Sequence, residues 1–287
     1  MRKIYFTFKY DIRFAFEPRR LSDKHLNILA CFPNLVNLRL SFMNSKFNLN
    51  GFEKVAGVWT QLQELTAPGC EISDENLALV ISNMNRVKRL VVPGADFGPL
   101  ALAALRPHFP HLKELNMSLS AINMGAATVE ILASCSQLQS LTADRVAGWR
   151  VREGEEWACQ QSLKSLEVCF VLSRPNPKYR QQQLIFERIS ELRNLERLDI
   201  SNRKIPDRDL RYTLDFRLGR GLGVLKTLKA LREFHFEYTK QWMETEEVEW
   251  MLENWPQLEV VMGPLNVDND IDARLKSLFC DNYIDAY

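Results

Sequence analysis

One short phrase recurs nine times along this chain and constrains its fold more than any other feature. The phrase consists of a hydrophobic residue, two polar residues, a hydrophobic residue, any residue and a last hydrophobic residue. It begins at Leu35, Leu62, Val87, Leu112, Leu138, Leu163, Leu195, Leu231 and Leu258, and the last copy lacks its final hydrophobic residue. The steps between these positions are 27, 25, 25, 26, 25, 32, 36 and 27 residues. Such spacing is typical of a repeat protein.

Each phrase alternates hydrophobic and polar residues with a period of two, which predicts a strand with one buried face. The residues that follow change to helical spacing, and Ser73 is a suitable N-cap for one such helix. The predicted buried helix faces are Leu77, Val80, Ile81 and Met84 in one repeat, and Leu100, Ala103, Ala104 and Pro107 in the next. A proline before the phrase, at Pro33, Pro110 and Pro256, predicts the end of each helix.

A single strand and helix cannot bury their hydrophobic faces alone, but stacked copies can. The sequence therefore predicts an α/β right-handed solenoid (a horseshoe), with a parallel concave sheet and convex helices. We expect one domain over residues 1–287. Its predicted parts are an N-terminal strand and helix unit (1–31), nine recognisable repeats (32–264) and a C-terminal cap (265–287).

The repeat beginning at Leu62 reads Leu62-x-x-Leu65-x-Ala67-x-x-Cys70-x-Ile72 and precedes a helical segment. It resembles the cysteine-containing, ribonuclease-inhibitor type of leucine-rich repeat. The resemblance to leucine-rich repeat proteins extends over roughly residues 33–264 and implies the same solenoid fold.

Three later segments, 181–186, 214–222 and 246–256, resemble predicted fungal F-box/leucine-rich-repeat proteins. That resemblance implies the substrate-recognition part of an F-box-type ubiquitin ligase. An F-box is a helical module that precedes the repeats. Here a strand-like Ile4-x-Phe6-x-Phe8 comes first and the repeats begin by Leu35, so we expect no F-box in this chain.

The composition and motifs favour neither catalysis nor nucleic-acid binding. The formal net charge is +1, and the six cysteines include no C-x-x-C pair, so we expect reduced and mostly buried thiols. No nucleotide-binding, zinc-protease or hydrolase motif is present. We therefore expect no catalytic residue, no cofactor, no metal site and no small-molecule substrate. Without a leader or an apolar run long enough to span a membrane, an intracellular location, cytoplasmic or nuclear, is expected.

Alternation sends the third, fifth and seventh residues of each phrase to the concave surface. In the later repeats the charged residues at these positions are mostly acidic. The candidate binding residues are Asp144, Glu167, Asp199, Glu233 and Glu237, together with Arg197 and His235. We expect this face to bind a protein partner that carries basic residues. An ordinary solvated surface is the alternative.

Two irregular connections are further candidates for partner binding. They should crowd one rim, because both leave from the C-terminal ends of strands. Their candidate residues are Trp149, Arg150 and Arg152 in the first, and Arg174, Lys178 and Tyr179 in the second. Tolerated insertions are the alternative. Of the remaining tryptophans, Trp59 and Trp255 precede strands and are predicted to be packing residues, whereas Trp242 could be exposed.

The sequence thus predicts a protein-interaction scaffold that is not an enzyme. Its most specific form is the substrate-recognition part of an F-box-type ubiquitin ligase. A free-standing inhibitor or scaffold, of the kind that ribonuclease-inhibitor-like proteins provide, is the main alternative. An enzyme with an unrecognised site is a remote one.

Overall fold

The computed structural model describes residues 4–7, 31–40, 47–48, 57–120, 125–172, 178–202 and 212–287. All nine phrases form strands, as predicted. The chain falls into two compact units. The first unit contains residues 1–127 and 142–144, and the second contains residues 128–141 and 145–287. The single domain over residues 1–287 stays a prediction.

The first unit is built on a mostly parallel sheet. Its strands are β1 (Ile4–Thr7), β2 (Asn37–Leu40), β4 (Glu64–Thr66), β6 (Arg89–Val91) and β7 (Glu114–Asn116). β1 is antiparallel to β2, and the other neighbours are parallel. β3 (Phe47–Asn48) and β5 (Cys70–Glu71) form a separate parallel pair. The middle of strand β8 (Ser140–Ala147) belongs to this unit, where the Met117 N–H donates to the Thr142 carbonyl at 3.0 Å.

Helices follow the strands of the first unit. They are α1 (Asp74–Asn83) and α2 (Pro99–Leu105), and α2 runs into a 3₁₀ helix (Arg106–His111). Helix α3 (Gly125–Ser134) begins in this unit and ends in the second. Ser73 caps α1, because its side chain accepts the Asn76 N–H at 3.3 Å. The predicted buried face of α1 is confirmed.

The predicted face of α2 is wrong. Leu100 is 50% exposed, and the buried residues are instead Ala101, Leu102 and Leu105. The cause lies in the preceding repeat. The buried carboxylate of Asp74 accepts the N–H groups of Gly98, Leu100 and Ala101 at 2.8, 3.0 and 2.8 Å, which satisfies the first donors of α2 and fixes where it begins.

Contrary to the prediction, Pro110 does not end a helix in this repeat. It lies inside the 3₁₀ helix that follows α2. A 3₁₀ helix bonds each residue to the third rather than the fourth before it. The proline-containing segment therefore marks the change from α to 3₁₀ geometry before strand β7.

The second unit contains five further parallel strands. They are β9 (Ser165–Val171), β10 (Arg197–Asp199), β11 (Glu233–His235), β12 (Val260–Met262) and β13 (Asp285–Ala286). Its helices are α4 (Lys178–Ser190), α5 (Thr245–Asn254) and α6 (Asn269–Cys280). Shorter 3₁₀ helices occupy Gly148–Arg150, Leu218–Arg220 and Leu222–Thr227.

The first, fourth and sixth residues of the phrases form the core, as predicted, wherever their side chains are described. The core of the second unit is aromatic. Phe216 contacts Phe186, Phe234 and Phe236 with ring centroids 5.6, 5.1 and 5.6 Å apart. Trp59 and Trp255 are each 1% exposed, which confirms them as packing residues.

Gly263 explains why the last phrase lacks its final hydrophobic residue. Its φ of 141° disfavours any residue with a side chain. A Cβ at this position would lie 2.8 Å from Cδ2 of Phe236 and 2.9 Å from the Phe236 carbonyl carbon. The Phe236 ring thus occupies the space that a hydrophobic residue would fill in the other phrases.

The expectation of mostly buried cysteines is wrong for the described thiols. Only Cys135 and Cys159 are buried, and burial raises the pKa of each to about 12. Cys31 and Cys280 are exposed, and Cys169 is half-buried. None of the described helices is long and apolar enough to cross a membrane.

Candidate functional site

Six predicted site residues lie on three adjacent strands of the second unit or directly after them. The parallel register aligns Glu167 with Asp199 and Asp199 with His235. It also aligns Arg197 with Glu233. We call Glu167, Arg197, Asp199, Glu233, His235 and Glu237 the charged row. The repeat therefore brings together side chains that are about 70 residues apart in the sequence.

Arg197 is the centre of the charged row. Its guanidinium pairs with Glu233 on the neighbouring strand, and its Nη2 lies 3.5 Å from Asp199 Oδ2. The same nitrogen lies 3.5 Å from Nδ1 of His235. One guanidinium thus contacts two carboxylates and an imidazole across β10 and β11, which restricts its orientation.

Asp199 and His235 differ from the expectation in their exposure. They lie on the predicted side of the sheet, but they are only 1% and 5% exposed. Asp199 Oδ1 accepts the Ser201 N–H at 3.1 Å, and Oδ2 lies 3.6 Å from Nδ1 of His235. Nε2 of His235 lies 3.6 Å from the Glu233 carboxylate. These two residues therefore position Arg197 and Glu233 and offer little surface to a partner.

The accessible part of the charged row is acidic. Glu167, Glu233 and Glu237 are half-buried carboxylates, and Arg197 is the half-buried cation among them. The backbone N–H of Glu237 donates to Ser201 Oγ at 3.0 Å, which fixes the chain directly after β11. Asp144 belongs to the first unit, where its Oδ1 accepts the Leu119 N–H at 3.1 Å.

The described parts of the two irregular connections lie close together. Gly148 packs against Gln181 and Ile185 of α4. Arg180 of α4 pairs with Glu153. Trp149 and Tyr179 are each 53% exposed, Arg152 is exposed, and Tyr179 lies in the first turn of α4. Arg174 lies outside the described residues, as does the side chain of Lys178.

Four residues that were not among the predicted site residues extend this surface. Arg220 lies over the Tyr179 ring, 4.2 Å from its centroid. Arg217 and Lys240 lie 5.5 and 5.0 Å from the Trp242 centroid. Arg150 similarly lies 4.4 Å from the Trp149 centroid. We call Trp149, Arg150, Tyr179, Arg217, Arg220, Lys240 and Trp242 the cation–aromatic strip.

Two sequence signals could have indicated the added residues. Segment 214–222 was already distinctive as a resemblance, and it contains Arg217 and Arg220. Trp242 was a candidate for exposure, and it is half-buried in the structure. What the sequence does not reveal is the pairing of Arg220 with Tyr179, because 41 positions separate them and no repeat rule relates them.

The described part of the chain offers no arrangement for metal binding. Within it, no three His, Cys, Asp or Glu side chains are grouped so that they could hold a metal ion. His108 has a structural role. It is 7% exposed, and its Nδ1 accepts the Val87 N–H at 3.4 Å.

One of the matching solved structures supports the leucine-rich repeat fold. An internalin from Listeria monocytogenes aligns with a TM-score of 0.51 and 15% identity. That match covers 90% of this chain and 62% of the internalin chain, less than two thirds of its length. The Rad7 and Elc1 complex in yeast aligns with a TM-score of 0.38 and 15% identity, over 86% of this chain and 84% of that chain. No protein-family model matches the sequence, and no curated protein is significantly similar to it.

Proposed function

We propose that the chain is a protein-binding scaffold, and that the charged row of the second unit binds a partner that carries basic residues. The observation that carries this proposal is the cross-strand register, which aligns Glu167 with Asp199 and pairs Arg197 with Glu233, while Glu237 follows directly after β11. The proposal assigns no chemical step to the chain.

The geometry favours a basic partner over an acidic one. Arg197 is already paired with Glu233, so its charge is partly neutralised. Glu167 lies in β9, and Glu237 lies where a backbone hydrogen bond to Ser201 fixes the chain after β11, so both add carboxylates at defined backbone positions. A preorganised surface loses little side-chain entropy when it binds, which increases affinity for a complementary charge.

The other predicted residues stay candidates for partner contacts apart from the charged row. They are Trp149, Arg150, Arg152, Arg174, Lys178 and Tyr179 of the two irregular connections, and Asp144 of the first unit. Trp149 and Tyr179 suit this role because exposed aromatic residues often contribute strongly to protein interfaces.

A charge reversal tests the proposal. We would replace Glu167 and Glu237 by Lys, and leave Glu233 intact so that its pair with Arg197 persists. Replacing Glu249 and Glu253 by Lys is the matched control, because both are exposed residues of α5 and the net charge changes equally. Each version would be used for affinity capture from cells of origin, with partners identified by mass spectrometry.

A partner retained by the wild type and the α5 control, but lost by Glu167→Lys/Glu237→Lys, would support binding by the charged row. The proposal fails if this partner is retained by the charged-row variant. It also fails if both double variants lose the partner equally, since net charge alone would then explain the loss.

We further propose the more specific role of substrate recognition in an F-box-type ubiquitin ligase. It is supported by the resemblance of segments 181–186, 214–222 and 246–256, and by their mutual contacts through Gln182 and Glu247. Capture of a cullin and its adaptor with one enriched protein would support this role. One stoichiometric partner without ligase components would favour the inhibitor or scaffold alternative.

A further inference from the structure

We infer that the cation–aromatic strip is a second interaction surface, and that it binds an acidic segment of a protein partner. This inference goes beyond the charged row, because it concerns other side chains and a partner of opposite charge. Its centre is the segment 214–220, whose two arginines are both partly exposed.

The first support is the way Gln182 holds this segment. Gln182 lies in α4 and is only 2% exposed. Its Nε2 donates to the carbonyls of Asp215 and Arg220 at 2.9 and 2.8 Å, and its Oε1 accepts the Asp215 N–H at 2.9 Å. One buried amide thus fixes both ends of the stretch that carries Arg217 and Arg220.

Two further buried side chains hold the middle of the segment. Gln241, which is 0% exposed, accepts the Phe216 N–H at 2.9 Å and donates to the Leu214 carbonyl at 2.8 Å. Glu247 of α5 accepts the Leu218 N–H at 3.0 Å. A merely tolerated insertion would not need three buried polar side chains, each of which would be costly without its partners.

The rigid backbone places the cations in defined positions. Asp215 binds Arg217 through two hydrogen bonds, of 3.0 and 2.7 Å, and lies 3.8 Å from Arg220. The side chains of Arg217 and Arg220 remain 36% and 35% exposed. Guanidinium groups held in this way can still donate to an incoming carboxylate, and they lose little freedom when they do so.

The strip is cationic as a whole. Arg150, Arg217, Arg220 and Lys240 provide four positive groups. The carboxylates that act on them are Asp215, which pairs with Arg217 and Arg220, and Glu247, which acts on Arg217 through its charge. This excess of positive charge is complementary to a segment rich in Asp and Glu.

An acidic protein segment fits better than single-stranded nucleic acid. Binding of unpaired bases relies on aromatic rings with free faces, whereas each ring of the strip has a cation over one face. Glu153 and Asp215 would also repel a continuous phosphate backbone. The formal net charge of +1 differs from the strongly basic character of most nucleic-acid-binding domains.

Fluorescence anisotropy with defined probes would test the inference. The first probe is a short fluorescein-labelled peptide of alternating Glu and Ser, the second is the same peptide with Gln for Glu, and the third is a labelled oligothymidylate. The test variant is Arg217→Gln/Arg220→Gln. The control is Arg193→Gln/Arg232→Gln, which removes two exposed arginines elsewhere in the same unit.

We expect the acidic peptide to bind and the Gln peptide not to bind. Loss of two charge-assisted contacts should weaken binding of the acidic peptide by about tenfold or more in the test variant. The control should retain the wild-type affinity. Circular dichroism should show that both variants remain folded, because the substitutions preserve the backbone bonds to Gln182 and Glu247.

Three outcomes would overturn the inference. The acidic peptide could fail to bind the wild type, it could be weakened equally by both double variants, or the oligothymidylate could bind more tightly and be the probe that the test variant loses. None of these outcomes bears on the charged row, because Glu167 and Glu237 are unchanged throughout.

Discussion

The two units share one repeat phrase but stabilise their connections differently. In the first unit the repeats keep a step of 25–27 residues, and the carboxylate of Asp74 caps the helix of the next repeat. In the second unit two steps lengthen to 32 and 36 residues, and the buried amides of Gln182 and Gln241 donate hydrogen bonds to the backbone of the longer connection. In the regular repeat a single carboxylate caps the next helix. In the longer repeat, buried side chains form hydrogen bonds with the backbone of the added residues.

The two units also differ in the polar residues that their sheet faces bury. On the sheet face of the first unit the buried polar residues include the small side chains of Thr66 and Ser118. The corresponding face of the second unit buries Asp199 and His235 beneath an ion pair. The longer steps therefore coincide with the more specialised surface, which is why both proposed interaction surfaces lie in the second unit.

The largest expected effect is at Gly263 in the second unit. Gly263→Ala introduces a Cβ 2.8 Å from the Phe236 ring at a φ of 141°. Backbone strain and overpacking should together lower the free energy of unfolding by about 4 kcal/mol, as measured by urea denaturation. Gly223→Ala is the control, because its nearest new contact is an ordinary 3.9 Å. Equal effects of the two substitutions would contradict this account.

The sequence predicted what depends on local pattern. The nine strands, their core positions, the Ser73 cap and the packing of Trp59 all follow from periodicity or from single residue types. The face of α2 did not follow, because Asp74 fixes its start from another repeat. Nor did the burial of Asp199 or the anchoring of segment 214–220, because cross-strand ion pairs and contacts spanning 25–38 residues leave no periodic signal.

The next largest effect should be at Asp74 in the first unit. Asp74→Ala removes three charge-assisted hydrogen bonds to the start of α2. We expect a loss of about 3 kcal/mol, because each such bond contributes more than a neutral one and two of the donors are buried. Hydrogen exchange should increase at the amides of Gly98 and Ala101. Exposed Glu75 provides the control, and a Glu75→Ala substitution as damaging as Asp74→Ala would refute the capping role.

A smaller effect is expected when the second unit loses one of its amides. Gln241→Leu keeps most of the side-chain volume but leaves the Phe216 N–H and the Leu214 carbonyl without their side-chain partner. The loss should be about 2 kcal/mol, with faster hydrogen exchange confined to the neighbourhood of segment 214–218. Gln183→Leu, at an exposed position of α4, should have little effect. Unchanged exchange in Gln241→Leu would show that the segment is held by other contacts.

The smallest effect is a pH dependence in the first unit that arises from His108. Burial lowers the pKa of His108 from its ordinary value of 6.5, and the nearby His111 lowers it further, while a hydrogen bond to the backbone of Ile81 opposes the shift. The neutral ring is the form that accepts the Val87 N–H. Its contribution is therefore complete above pH 6.5 and is lost as the pH falls, because the unfolded chain takes up the proton first.

Urea denaturation at about pH 7.5 and about pH 5.5 would measure this dependence, since histidine titrates in that range. His108→Gln should destabilise the protein less at the lower pH than at the higher one. His111→Gln should largely preserve the wild-type pH dependence, because His111 is half-exposed and acts on His108 only through its charge. An identical pH dependence in the wild type and His108→Gln would place the titrating group elsewhere. His108 would then make no pH-dependent contribution to the stability of the first unit.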